Sequence, residues 1–244
     1  MTILRTGQGD ELVLFHGWGM NAGIFDSWVE QLQHHFRCHV VNLPGFGGRP
    51  ACSNPDLDEW LDALMPELPE RAYWLGWSLG GLLVQRLAQR QPERVKAQLL
   101  VATSPHFPAA ENWRGIQPSV LQQFTEQLHL NADKTIERFL AIQAMGSETA
   151  KQDIRQIKQR LEQHPQADSE ALQQGLTLLQ QVDFRTIKSP TPQYWLLGRL
   201  DSLVPVALAE QLGEAATVLA KASHAPFISH PAEATDWLLR ATAG

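Results

Sequence analysis

The run Trp74-Leu75-Gly76-Trp77-Ser78-Leu79-Gly80-Gly81 constrains this chain more than any other stretch. An apolar segment leads into it, and Leu82, Leu83, Val84, Leu87 and Ala88 follow as a helical stripe without a breaker. The pattern predicts a buried strand, one serine in a tight turn and the start of a helix, which is the context of a G-x-S-x-G nucleophile elbow. A serine in so sharp a turn has a strained backbone. The residues two before and two after it must be small if strand and helix are to approach each other.

Around that run, short apolar segments alternate with helical patterns. Strand candidates are 12–15, 38–43, 73–75, 98–102, 194–197 and 217–219, each four to six residues long or nearly so, and almost continuously apolar. Strands covered on both faces look like this. Helical patterns fall at about 23–35, 57–65, 79–90, 206–213 and 232–241. Strand alternating with helix predicts an α/β fold, a mostly parallel central sheet with helices on both faces. The alternation stops at 113–184, where four helical patterns (118–129, 132–144, 147–162, 169–181) are punctuated by Pro118, Asn131, Gly146 and Pro165. This stretch reads as an inserted all-helical cap over the carboxyl edge of the sheet, where open α/β sheets bind ligands. The division expected is core at 1–112, cap at 113–184 and core again at 185–244.

Composition removes other classes. A net charge of −6 argues against general nucleic-acid binding. The chain has no long apolar run of membrane-spanning length and no His/Cys cluster at zinc spacing, so neither membrane nor metal is expected. Gly45-Phe46-Gly47-Gly48 lacks the helix and distant acid of a dinucleotide site and reads as a loop at the sheet edge. Cys38 and Cys52 read as free thiols of a cytoplasmic protein.

A serine hydroxyl is a weak nucleophile unless a base lies within hydrogen-bond reach and an acid orients that base. With this elbow the chain order is Ser, then Asp or Glu, then His. Asp201 follows the strand at 194–197, and His224 follows the strand at 217–219, so both belong at the sheet edge to which Ser78 points. His230 competes but precedes Pro231 at a helix start, and His16 reads as a support for its own loop. A tetrahedral intermediate also needs donors. The main-chain N–H groups of Leu79, at a helix N-terminus, and of Trp18, in His16-Gly17-Trp18-Gly19, are the candidates. Trp18, Trp77, Phe107, Phe124 and Phe139 would give apolar walls, although Phe124 is better read as packing cap to core. On the cap, Lys134 and Arg138 share one helix face, as do Lys151, Arg155 and Lys158 on the next. Asp133, Glu137, Glu148 and Asp153 are interspersed, so both a solvated mixed face and an anion-steering stripe fit this spacing.

These motifs, together with Asn42-Leu43-Pro44-Gly45-Phe46-Gly47, Glu137-Arg138-Phe139-Leu140-Ala141 and the run Ala222 to Pro231, resemble the α/β-hydrolases end to end. Within them the chain is most similar to the pimeloyl-[acyl-carrier protein] methyl ester esterases of biotin synthesis. The resemblance implies Ser78 as nucleophile, Asp201 as orienting acid, His224 as base, and Trp18 and Leu79 at the oxyanion site. It implies substrate contacts from Phe139, Leu140, Ala141, Ile142 and Gln143. It also implies a monomer without cofactor whose Lys134, Arg138, Lys151 and Arg155 meet the acidic acyl carrier protein. Lysine at two of these positions keeps the charge but lacks arginine's bidentate fork. A general short-acyl esterase or thioesterase of the same fold would use the same three residues, and a non-catalytic receptor on the fold would need none of them. The segment 162–175 carries no readable role.

Overall fold

A computed structural model describes residues 3–143 and 150–243. Gly146 and Glu148, expected as a helix break and a cap acid, lie outside the described residues. So does the start of the helix expected at 147.

The strands are β1 (Ile3–Thr6), β2 (Asp10–Phe15), β3 (Phe36–Val41), β4 (Ala72–Trp77), β5 (Val95–Val101), β6 (Gln193–Gly198) and β7 (Ala216–Leu219). They form one sheet in the order β1-β3-β2-β4-β5-β6-β7. Only β1 runs antiparallel to its neighbour, so the carboxyl ends of the other six share one edge. All six residues of β4 are buried, as a central strand covered on both faces requires. The antiparallel edge strand β1 was not anticipated. It is four residues long, pairs on one side only and buries Ile3 alone, so it leaves little hydrophobic pattern to read.

The helices of the first half are α1 (Asp26–Leu32), α2 (Leu57–Leu64) and α3 (Leu79–Arg90). Asp56 caps α2 by accepting from the N–H groups of Asp58 and Glu59. Arg86 on α3 forks onto the Asp58 carboxylate at 2.9 and 2.6 Å, which joins α2 to α3. Between β5 and β6 the chain makes α4 (Pro118–Leu130), α5 (Ala132–Gln143), α6 (Ala150–Leu161) and α7 (Ser169–Gln181), and then returns to the sheet. Its departing and returning arms are pinned together, Phe184 N–H to the Pro105 carbonyl at 2.9 Å and His106 Nδ1 to the Val182 carbonyl at 2.8 Å. The chain ends with α8 (Leu208–Leu212), a single turn α9 (Pro226–Ser229) that the sequence reading lacked, and α10 (Pro231–Thr242). Trp28 on α1 donates to Thr235 Oγ1 on α10 at 2.9 Å, tying the first helix to the last.

No helix among the described residues is long and apolar enough to cross a membrane. Both cysteines are free. Burial pushes the Cys38 thiol up to about 12 and the Cys52 thiol up to about 11.

Candidate active site

Ser78 stands between β4 and α3 with φ 53° and ψ −118°, a left-handed conformation that a residue with a side chain adopts only under constraint. The constraint is visible. Its N–H donates to the Val101 carbonyl at 3.0 Å, and its own carbonyl accepts from Thr103 Oγ1 at 2.7 Å and from the Gly81 N–H at 2.9 Å. The glycines make the turn possible by absence of bulk. A Cβ on Gly76 would collide with the Gly80 backbone, and one on Gly80 with the Phe15 carbonyl.

Asp201 lies just past β6 and His224 just past β7. His224 Nε2 is 3.0 Å from Ser78 Oγ, and His224 Nδ1 is 2.8 Å from Asp201 Oδ2. The other Asp201 oxygen accepts the N–H groups of Leu203 and Val204 at 2.8 and 3.0 Å. Both carboxylate oxygens therefore have donors, and the ring proton that Oδ2 accepts belongs on Nδ1. This leaves Nε2 as the acceptor facing the serine. Asp201 and His224 side chains are 0% and 1% exposed, so the pair works out of water.

The loop after β2 closes over the serine. A Cβ on Gly17 would lie 3.1 Å from Ser78 Cβ, so Trp18 begins one residue from contact with the elbow. Neither the Trp18 nor the Leu79 N–H meets a hydrogen-bond acceptor among the described residues, although both residues are fully buried. His16 fixes this loop. Its Nδ1 lies 2.8 Å from the Gly17 carbonyl, and its Nε2 accepts the Leu43 N–H at 3.1 Å. That arrangement needs a neutral ring, and complete burial pulls the imidazole down to about 4.

The insertion roofs the same place. Trp18 Nε1 donates to the Leu172 carbonyl on α7 at 2.8 Å. Gly175 lets α7 settle on the Trp18 and Leu79 side chains, since a Cβ there would come within 2.7 Å of Trp18 Cδ1 and 3.2 Å of Leu79 Cδ2. Sequence reasoning missed this seat, because neither the indole bond nor the glycine fit leaves a local signal. From α5, Phe139 packs edge-on to Trp18 at 4.9 Å, and Phe124 packs edge-on to Phe139 at 5.8 Å. Phe124 thus packs within the insertion, on Phe139 and under Arg138, and both it and Phe107 are buried.

The five-residue stretch expected to touch substrate does not face one way. Phe139, Leu140 and Gln143 turn inward, Ile142 is half-buried, and Ala141 stands on the exposed side of α5. A run of five spans more than one face of a helix, so these residues do not share one orientation. Among the described residues, the Gln143 amide is buried with neither its nitrogen nor its oxygen partnered.

Lys134, Arg138, Lys151 and Arg155 are all exposed, the first two on α5 and the others on α6. Arg138 is steadied by Gln127 at 2.7 Å and by the Phe124 ring. Lys158 is spent on Glu137 at 2.7 Å. Beside this face a cleft of about 640 Å³ opens between α5, α6 and the lead into α7. Its lining includes Gly19, Ile136, Leu140, Lys158, His164 and Leu172, but none of Ser78, Asp201 and His224. No group of three His, Cys, Asp or Glu side chains among the described residues is arranged to hold a metal ion.

Residues 11–231 match the family model described as alpha/beta hydrolase fold. The chain belongs to the α/β-hydrolase family. It is 49% identical over 242 residues to a pimeloyl-[acyl-carrier protein] methyl ester esterase of Shewanella oneidensis, covering 96% of this chain and 91% of the relative. A protein of the same name from Aliivibrio fischeri is 46% identical over 231 residues, covering 92% and 90%. Among solved structures, an esterase from Exiguobacterium antarcticum superposes with a TM-score of 0.85 at 19% identity, covering 99% of this chain and 95% of that one. At such identity it speaks for the fold alone.

Proposed function

We infer that this α/β-hydrolase is a serine carboxylesterase that hydrolyses the methyl ester of pimeloyl-[acyl-carrier protein], releasing methanol and the free acid for biotin synthesis. The observation that carries the reading is the near end-to-end identity to esterases of that name, 46% and 49%, in a chain whose Ser78, His224 and Asp201 stand in hydrogen-bond sequence.

In this reading His224 Nε2 takes the Ser78 proton as Oγ attacks the ester carbonyl, and the imidazolium is held by Asp201. The tetrahedral oxyanion is received by the N–H groups of Trp18 and Leu79, each such donor contributing about 3 kcal/mol to the transition state. The acyl–oxygen bond then breaks, and methoxide leaves as methanol with the proton from His224. Water enters, loses its proton to the same nitrogen and attacks the acyl-serine. Breakdown of the second intermediate returns the proton to Ser78 Oγ and frees the carboxylic acid. Residues 113–184 serve as the cap. Phe139, Leu140 and the unpartnered Gln143 amide supply contacts for the acyl chain and a carbonyl. Lys134, Arg138, Lys151 and Arg155 meet the acidic carrier. The protein acts as a cytoplasmic monomer.

The test is a comparison of kcat/KM for the carrier-borne methyl ester and a short free methyl ester. Ser78→Ala is expected to lower both by about 10⁴-fold or more. Charge reversal at Arg138 and Arg155 is expected to raise KM for the carrier-borne ester and spare the free one. Equal kinetics on the two substrates in every variant would instead mark a general short-acyl esterase.

A further inference from the structure

His224 is gripped through its backbone from two directions. Its N–H donates to the carbonyl of Gln143, at the end of α5, at 3.1 Å, and Ser223 Oγ donates to that same carbonyl at 2.7 Å. Its own carbonyl accepts the Trp77 indole N–H at 2.8 Å, a contact between residues 147 apart in the chain. Trp77 is the residue directly before Ser78. A single indole thus links the strand end that carries the serine to the loop that carries the imidazole.

The indole is well placed to act as a strut. It is fully buried, edge-on to Phe227 at 5.2 Å and to Phe25 at 6.5 Å, and tilted against the His224 ring at 5.7 Å. A Cβ on Gly17 would touch its six-membered ring at 3.2 and 3.3 Å, so the oxyanion loop closes its remaining side. A buried indole N–H needs an acceptor, and here the acceptor is the peptide of His224 itself. With the His224 main chain held at its N–H by Gln143 and at its carbonyl by Trp77, and with Nδ1 held by Asp201, the ring is braced towards Ser78.

We propose that Trp77 is a positioning residue for His224: its indole N–H sets the separation between Nε2 and Ser78 Oγ. The proposal rests on reading these two as base and nucleophile. Trp77 would then act on the rate of the chemical step and not on the affinity for the acyl chain.

The experiment replaces Trp77, at that position alone, with benzothienylalanine, which keeps the bicyclic shape and substitutes sulfur for the N–H. Trp77→Phe is the second variant and Ser78→Ala the control. A short free methyl ester and a fluorophosphonate label are the probes, with melting temperature measured alongside. The sulfur analogue is expected to lose about tenfold in kcat, the scale of one hydrogen bond, or more if the ring shifts. Its KM should stay within about twofold, and labelling of Ser78 should slow in parallel with kcat. Trp77→Phe should be at least as slow. Wild-type kcat in the analogue would overturn the proposal, as would a raised KM with unchanged kcat, which would make Trp77 a substrate wall. An active Ser78→Ala would instead remove the nucleophile assignment on which the proposal stands.

Discussion

The helices inserted between β5 and β6 are fastened to the rest of the molecule in two different ways. On one side α7 buries Ala171, Leu172, Leu176, Leu178 and Leu179, and its Leu172 carbonyl receives the Trp18 indole. The Gly45 carbonyl accepts the Asp168 N–H at 2.8 Å, and Gln174 Nε2 reaches the Cys52 carbonyl at 2.8 Å. On the other side α6 buries Asp153 and Ile157 and keeps a charged outer surface. It is tied to the core near its end, where Asn21 Nδ2 donates to the Leu161 carbonyl at 3.4 Å and Arg160 meets Ser27 and Asp26. Helix α5 mediates, with Phe139 and Gln143 inward and Lys134 and Arg138 outward. Apolar burial fixes α7 over Trp18 and Leu79, beside Ser78. The polar faces of α5 and α6 are left to solvent.

The contrast can be broken first at Phe139, the aromatic that holds α5 between Trp18 and Phe124. Phe139→Ala is expected to cost about 4 kcal/mol, read as a fall of roughly 10 °C in melting temperature. The same truncation of exposed Lys151 should leave the melting temperature where it was. Acid tests the floor beneath α7. An unfolded His16 takes up its proton near 6.5, whereas the folded protein resists it down to about 4. The unfolded state therefore binds more protons in that window. Stability present above pH 6.5 should be lost as the pH falls towards 4, by on the order of 3 kcal/mol from this group. Urea melts at pH 7, 5.5 and 4.5 check the slope, which should shrink in His16→Gln.

Gly175→Val attacks the roof from above. Overpacking against Trp18 is expected to destabilise by about 1–3 kcal/mol and to lower kcat for a free ester, because the Trp18 main chain shifts with its ring. Removing a cap sharpens the comparison more gently. Asp168 accepts from the N–H groups of Glu170 and Ala171 at 2.8 and 3.4 Å, so Asp168→Ala should cost about 1 kcal/mol in a chemical melt. Least affected is the charged side. Glu137→Gln breaks the exposed pair with Lys158 and should leave the melting temperature unmoved. By freeing one cation it should lower KM for the carrier-borne ester by up to about twofold, an effect abolished by salt.

The turn at Ser78 and the placing of Asp201 and His224 beside it were legible because a G-x-S-x-G turn calls for an acidic residue and a histidine just past later strands, and apolar runs mark those strand ends. The four inserted helices were legible from their periodicity. What the sequence hid depends on distance or on the lack of a pattern. The seat of Leu172 on the Trp18 indole joins residues 154 apart, and nothing near either one announces it. The segment 162–175 had no readable role because its fits are steric: Ala171 lies against Gly45 and Gly175 against Trp18 and Leu79, and such fits show only in what an added Cβ would meet. The resemblance treats 139–143 as one run, whereas the helix turns Phe139, Leu140 and Gln143 inward and Ala141 outward.

Trp18 serves two masters with one residue. Its backbone borders the Ser78 turn and its indole holds up the ceiling, so any drift in the height of α7 is transmitted to the loop beside that serine. A lineage seeking a wider or narrower chamber would find that route closed. It would have to remodel the α5–α6 side, where side chains can change without dragging the loop after β2 along with them.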